Sequence, residues 1–285
     1  MEIHSHRDGT RLLERAGAWL EERPAENNLP LGLCQPPAPG SLSEPGDVKL
    51  GRLFLTIEEG GAPIGVCLWR PPTPLILTRM PASAVPVLVA HLQGLGIRPE
   101  YAEGPAETAS LFAEAWIRAV GGRATCHLHE GIYQCSRVER PVGVSGHLRW
   151  ATAAEAPLLS DWVQAFAVEG HLPEPVRRSM LDSLPGRIQA GTLAVWENER
   201  PVCMAWASGA TPQGIRIGGV YTPPNERRRG HASACTAALT QRMLDAGRRC
   251  CFLYTDFTNP TSNKIYQAIG YAFVCEARVF HFTRS

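Results

Sequence analysis

Two stretches far apart in the chain look like the same piece of structure. FLTIEEGGAPIGVCLWR, from Phe54, and LAVWENERPVCMAWA, from Leu193, are each two apolar runs around a short polar turn. Each reads as a β-hairpin, turning at Glu59-Gly60-Gly61-Ala62 in the first and at Glu197-Asn198-Glu199-Arg200 in the second. The runs TCHLHEGIYQC, from Thr125, and AFVCEARVFHF, from Ala272, also match and would each close a unit. An internal duplication follows, with a boundary near Pro141-Val142-Gly143. At 285 residues the chain has room for two such units.

The order of elements supports the repeat. Leu12, Leu13, Ala16, Trp19 and Leu20 recur at helical spacing over residues 8–22. Residues 26–46, rich in proline, glycine and asparagine, read as loop with short ordered pieces. Strands are expected at 52–58, 64–70, 74–78 and 124–138, with helices at 82–94 and 106–120. The second half runs similarly. A strand at 147–150 precedes the capping box Thr152-x-x-Glu155, which opens a helix burying Leu158, Leu159, Trp162, Val163 and Phe166. A further helix begins near Pro175, and the hairpin strands are 192–196 and 202–207. The helix at 231–246 has the apolar stripe Cys235, Leu239, Met243, the strand at 250–255 is buried, and a last helix stops at Gly270.

One stretch carries chemistry. IRIGGVYTPPNERRRGHASA, from Ile215, reads as strand, turn, basic glycine-containing loop and helix start. A helix start leaves backbone N–H groups unpaired, and with the helix dipole these favour an anion. Gly230 lets the backbone approach a phosphate, and the small Ala232 leaves room in the first turn. By itself such a loop is equally a helix cap. Asn259-Pro260-Thr261-Ser262-Asn263-Lys264-Ile265-Tyr266 and Gly270-Tyr271 follow about thirty residues later.

Together these motifs resemble the acetyl-CoA-binding core of the GNAT acetyltransferase superfamily. Its pyrophosphate loop, Gln/Arg-x-x-Gly-x-Gly/Ala, is matched by Arg227, Gly230 and Ala232. The resemblance covers about residues 146–285 and implies an α+β fold, a mixed sheet with flanking helices, as two tandem GNAT-like domains at 1–143 and 144–285. It implies that acetyl-CoA is held by Arg227, Arg228, Arg229, Gly230, His231, Ala232 and Ser233, with the strand backbone from Val220 through Tyr221 to Thr222 along the pantetheine arm. An N–H there, that of Val220, would polarise the thioester carbonyl. Gly218-Gly219 suits a bulge that opens the strand, or an ordinary kink. Asn259 and Asn263 match positions near the cofactor, although Asn259 is equally a helix cap. Tyr266 matches the superfamily's general acid, and its alternative is a packed helix tyrosine. Glu169 and His171, after the first helix of the second half, are candidate bases that also read as plain loop residues; His231 reads as a cofactor-edge residue. The first copy runs Thr78-Arg79-Met80-Pro81 straight into a helix, with neither the glycine loop nor the Asn/Tyr helix. One site per chain is therefore expected.

Composition excludes other classes. A net charge of +1 does not suit nucleic acid, and no apolar run is long enough for a membrane span. The opening residues lack a signal-peptide core, so a cytoplasmic location is expected. The nine cysteines include no Cys-x-x-Cys pair and read as reduced thiols, Cys67, Cys203, Cys235 and Cys275 among them buried, with Cys250 and Cys251 on opposite strand faces. His127 and His129 share a strand face without a third ligand, so no metal is expected. The expected activity is acetyl transfer from acetyl-CoA to a primary amine of a small acceptor, with amino sugars, polyamines and amino-acid derivatives open. The alternative is a CoA-binding sensor or scaffold without catalysis. The sequence does not fix the oligomeric state.

Overall fold

A computed structural model describes residues 1–35, 52–71 and 73–284. The part of the expected loop from residue 36 to 46 lies outside them. The first half contains β1 (Glu2–Ser5), α1 (Gly9–Glu21), α2 (Asn28–Cys34), β2 (Leu53–Glu59), β3 (Ala62–Trp69), β4 (Leu75–Leu77), α3 (Ala84–Gly94), β5 (Tyr101–Pro105), α4 (Ala106–Val120) and β6 (Arg123–Cys135). The second contains β7 (His147–Trp150), α5 (Ala156–Glu169), α6 (Glu174–Gln189), β8 (Leu193–Asn198), β9 (Arg200–Ser208), β10 (Gly214–Tyr221), α7 (His231–Asp245), β11 (Cys250–Asp256), α8 (Pro260–Ala268) and β12 (Ala272–Thr283).

The strands form one mixed sheet in the order β1-β2-β3-β4-β5-β12-β6-β11-β10-β9-β8-β7. This order reads alike from both edges, with each half exchanging its last strand. β12 pairs with β5 of the first half, β6 pairs with β11 of the second, and β6 and β12 pair with each other, all antiparallel. The two parallel contacts, β4 with β5 and β10 with β11, occupy equivalent places. Both repeated hairpins form, and each slips register at the same point, between Ile57 and Glu58 and between Trp196 and Glu197.

Strand alternation sends side chains to two helical layers. On one face α3 and α4 cover Leu55, Ile57, Cys67 and Leu77, while α7 and α8 cover Cys203, Ala205, Ile217 and Leu253. On the other face α1 and α2 cover Phe54, Val66 and Leu68, and α5 and α6 cover Val195, Met204 and Trp206. The Thr152–Glu155 capping box is present, but it caps a short 3₁₀ turn leading into α5. Leu158, expected inside, is 37% exposed, because Leu159, Trp162 and Val163 take the inward face. Three elements were not expected: β1, β5 and α2. β5 is five residues, YAEGP, whose glycine and proline hide a strand from propensity.

All nine cysteines are free; Cys126 is exposed and Cys275 only half-buried. His127 and His129 do not share surroundings. The β6–β12 register slips between Val279 and Phe280, so that His127 bonds the His171 carbonyl at 2.8 Å and His129 meets Glu276 at 2.9 Å. No group of His, Cys, Asp and Glu suited to a metal ion occurs among the described residues. No helix among them is long and apolar enough to cross a membrane.

Candidate functional site

The site begins where β10 and β11 part. Their parallel ladder holds only from Gly214↔Cys250 to Arg216↔Phe252. Beyond it β10 stays paired with β9 but not with β11, so the backbone of Ile217 to Tyr221 lines a gap with free polar groups on one side. The bulge expected at Gly218-Gly219 is present, with the β9–β10 register shifting between Gly218 and Tyr221. Gly219 has φ +59°, and a Cβ there would lie 2.1 Å from the Trp206 ring. Only glycine meets both conditions.

Past the gap the chain forms the basic loop. Gly230 is left-handed, φ +81°, and is the residue from which α7 starts. A Cβ on it would lie 2.8 Å from Val144 Cγ2. The N–H groups of Arg228 to Ser233 have no backbone acceptor among the described residues. They lie at the positive end of a 15-residue helix, the arrangement that suits a phosphate.

The three arginines divide their work. Arg227 Nη2 holds both Glu169 carboxylate oxygens at 2.8 Å, its Nε donates to the Thr222 carbonyl at 2.9 Å, and its guanidinium lies over the Tyr221 ring. Arg229 reaches the buried carboxylate of Glu226 at 3.1 Å, which Arg200 from β9 also bonds at 2.6 Å. Arg200 holds the Glu226 carboxyl below the usual carboxylate range, helped by Arg229. Arg228 is exposed, with φ +62°, and its side chain has no hydrogen-bond or ion-pair partner among the described residues, leaving it open to an anion. His231 is no rim residue. Its ring is buried, 3.8 Å from Glu226, with both nitrogens unpartnered and its pKa lowered by burial. Sequence reading missed Glu226, although it is the lone acid beside three arginines.

Other expected residues are tied into the frame. Glu169, the candidate base, is paired with Arg227 and accepts from the Tyr221 hydroxyl at 3.4 Å. His171, φ +52°, offers its carbonyl to His127. Asn259 caps α8 by accepting from the Ser262 N–H at 3.1 Å. Asn263 donates to the Asp256 and Asn259 carbonyls, both at 2.9 Å, and accepts from the Tyr133 hydroxyl. Tyr266 is 9% exposed and packs with Cys203, Cys235 and Tyr271. Burial raises its pKa, so the phenol keeps its proton.

A strand gap, a positive-φ glycine and a row of unbonded N–H groups together fit a long anionic ligand. Comparison of the whole fold decides the architecture. An acetyltransferase of the GNAT family from Colwellia psychrerythraea superposes with TM-score 0.58 at 12% identity, covering 100% of both chains. The fold is GNAT. A GCN5-related N-acetyltransferase from Sphaerobacter thermophilus gives TM-score 0.58 at 13% identity, covering 83% of this chain and 82% of its own. A tandem GNAT protein from the clavulanic acid biosynthesis pathway gives 0.54 at 13%, covering 98% and 97%. In sequence, residues 199–280 match the FR47-like protein family, a span that includes the GNAT gap, loop and α8. No curated protein matches the chain in sequence.

Proposed function

We propose that the chain is an acetyl-CoA-dependent N-acetyltransferase acting on a primary amine of a small acceptor, with one active site, in residues 144–285, and a first half, 1–143, that binds no CoA. The observation that carries this reading is the gap after Arg216 and Phe252 opening beside the unbonded N–H groups of Arg228 to Ser233. Acetyl-CoA would bring the activated acyl group. The N–H groups and Arg228 would bind its phosphates, and the free edge of Val220 to Thr222 would bond the pantetheine arm and polarise the carbonyl. Arg227, Arg229, Arg200 and Glu226 would keep the loop in shape. Tyr266 would hand its phenolic proton to the departing sulfur, a role supported by a proton kept in place by burial. Tyr221 and the Glu169–Arg227 pair brace the gap's rim, which assigns Glu169 to positioning. We place the protein in the cytoplasm.

An acceptor screen following free CoA release, with acetyl-CoA as donor, tests the reading. Turnover with an amine is expected. Tight binding of acetyl-CoA without transfer to any amine would replace the enzyme with a sensor or scaffold.

A further inference from the structure

We propose that the first half of the chain supplies the acceptor chamber of the second half's active site, with Glu130 on the exchanged strand β6 taking the proton from a cationic amine. This rests on the acetyl-transfer reading above and adds to it the substrate class and the base.

The strand exchange sets the geometry. β6 lies directly against β11, with Glu130 in register with Asp256 and Ile132 with Tyr254. These are the residues of β11 beyond the last pairing with β10, so Glu130 stands one strand, about 5 Å, from the edge of the gap. Alternation puts Glu130, Tyr254, Asp256, Arg216 of β10 and Glu103 of β5 on the face between α1–α2 and α5–α6. The polar frame of this space comes from the first half as well. Asn28 of α2 accepts from Arg216 at 3.1 Å and donates to the Tyr254 hydroxyl at 3.2 Å.

Glu103 and Glu130 are half-buried and have no ion-pair or hydrogen-bond partner among the described residues. A half-buried carboxylate facing other acids without a cation of its own is stabilised by a ligand that brings one, and its partial exposure leaves it reachable. The charged and titratable groups facing Glu130 are Glu103 from β5 and Asp256 and Tyr254 from β11. Burial, then these like charges, push Glu130 up to about 8; burial pushes Glu103 up to about 7 against the pull of Arg216. A base poised there is suited to an ammonium near neutral pH. At the mouth of the gap Thr222 independently keeps a hydroxyl, 8% exposed, with no partner. In the duplicate closing run the place of Glu130 is held by Ala277, so the carboxylate occurs only on the strand beside the open gap.

The chemistry balances. The ammonium gives one proton to the Glu130 carboxylate, which releases it to water. The nitrogen lone pair forms the C–N bond as the C–S bond breaks. The second nitrogen proton leaves through water and replaces the one Tyr266 gives to sulfur. Amide, thiol and one free proton result.

The test uses the full chain with acetyl-CoA and spermidine as probes. For Glu130→Gln, calorimetry is expected to give acetyl-CoA affinity within about twofold of wild type, and spermidine affinity for the CoA-loaded chain at least about tenfold weaker. CoA release at pH 7.5 falls about 10²–10⁴-fold, and the inflection near pH 8 disappears from the rate profile. The melting temperature at pH 8.5 rises, because a half-buried charge beside two other acids has been removed; a merely structural carboxylate would give a fall. Glu103→Gln gives the same pattern at smaller size and serves if the first variant fails to fold. Unchanged spermidine affinity and rate in these variants, or no spermidine binding to wild type, overturns the chamber while acetyl-CoA binding stands. Loss of wild-type acetyl-CoA binding would instead overturn the proposed function.

Discussion

The two parallel strand pairs occupy equivalent places in the sheet and have opposite fates. In the first half β4 and β5 share only two registered pairs but stay in contact past them: Gly104 approaches so closely that a Cβ would lie 2.7 Å from the Leu77 carbonyl oxygen. In the second half β10 leaves β11 after three pairs. The segments that follow differ in the same sense. After β4 the Thr78 hydroxyl closes onto the backbone of Val66, and Arg79 is locked by two bonds, 3.0 and 3.1 Å, to the buried carboxylate of Glu26. After β10 come a positive-φ glycine and six N–H groups without backbone acceptors. The two halves share the frame and differ where the gap and the basic loop lie. A close glycine between one strand pair, and a left-handed glycine at the head of one helix only, separate an open gap from a packed sheet. The first half keeps a different use, since its last strand is central to the second half's sheet.

The harshest way to break this comparison is to remove the first half. Without residues 1–140 the second half loses β6, and β11 and β12 lose the strand that both pair with. We expect aggregation on expression, read by size-exclusion chromatography. A soluble monomer with intact acetyl-CoA binding would mean that the halves are independent.

Tyr266→Phe comes next in size. The first half has no counterpart of this tyrosine, and loss of a general acid costs about 10²–10⁴-fold. The loss should fall on kcat, with acetyl-CoA affinity unchanged. Near-normal turnover would return Tyr266 to packing.

Glu169→Gln sharpens the role of the rim. If Glu169 only holds Arg227, steady-state kinetics should show less than about a tenfold loss in kcat and no change in the shape of the pH profile. Loss of the rising limb on the acid side of that profile would restore Glu169 as the base.

The smallest effect concerns His231. Its folded pKa is lowered by burial, so below pH 6.5 the unfolded chain binds the extra proton and stability falls with pH. The contribution is fully present above the unfolded value. Melting temperatures from pH 7.5 to 5.5 should therefore fall less steeply in His231→Gln than in wild type. Equal slopes would remove His231 as a contributor.

Much of this was legible in the sequence, because periodicity and glycine placement are local. The repeated hairpins, the bulge at Gly218-Gly219 and the Gly230 helix start all follow from residues near one another in the chain. The strand exchange was not legible. Either last strand, 123–135 or 272–283, has the right pattern to pair in either half, and topology, not propensity, chooses. For the same reason Glu103 and Glu130 went unnoticed, since their surroundings come from β11, β10 and α2. Asn259, Asn263 and Arg227, expected at the cofactor, spend their polar atoms on a cap, on carbonyls and on Glu169.

The central claim is that one half, through one loop, binds the cofactor. Calorimetric titration of acetyl-CoA into the intact chain, with wild type and Gly230→Glu side by side, tests it directly. We predict one site per chain in wild type. In the variant a carboxylate enters the phosphate space, and affinity falls at least about tenfold. The variant carries about 1–2 kcal/mol of strain at φ +81° and shifts the Val144 side chain, local costs that leave the fold standing. Two equivalent sites per chain, or undiminished binding in a folded Gly230→Glu protein, would contradict the account.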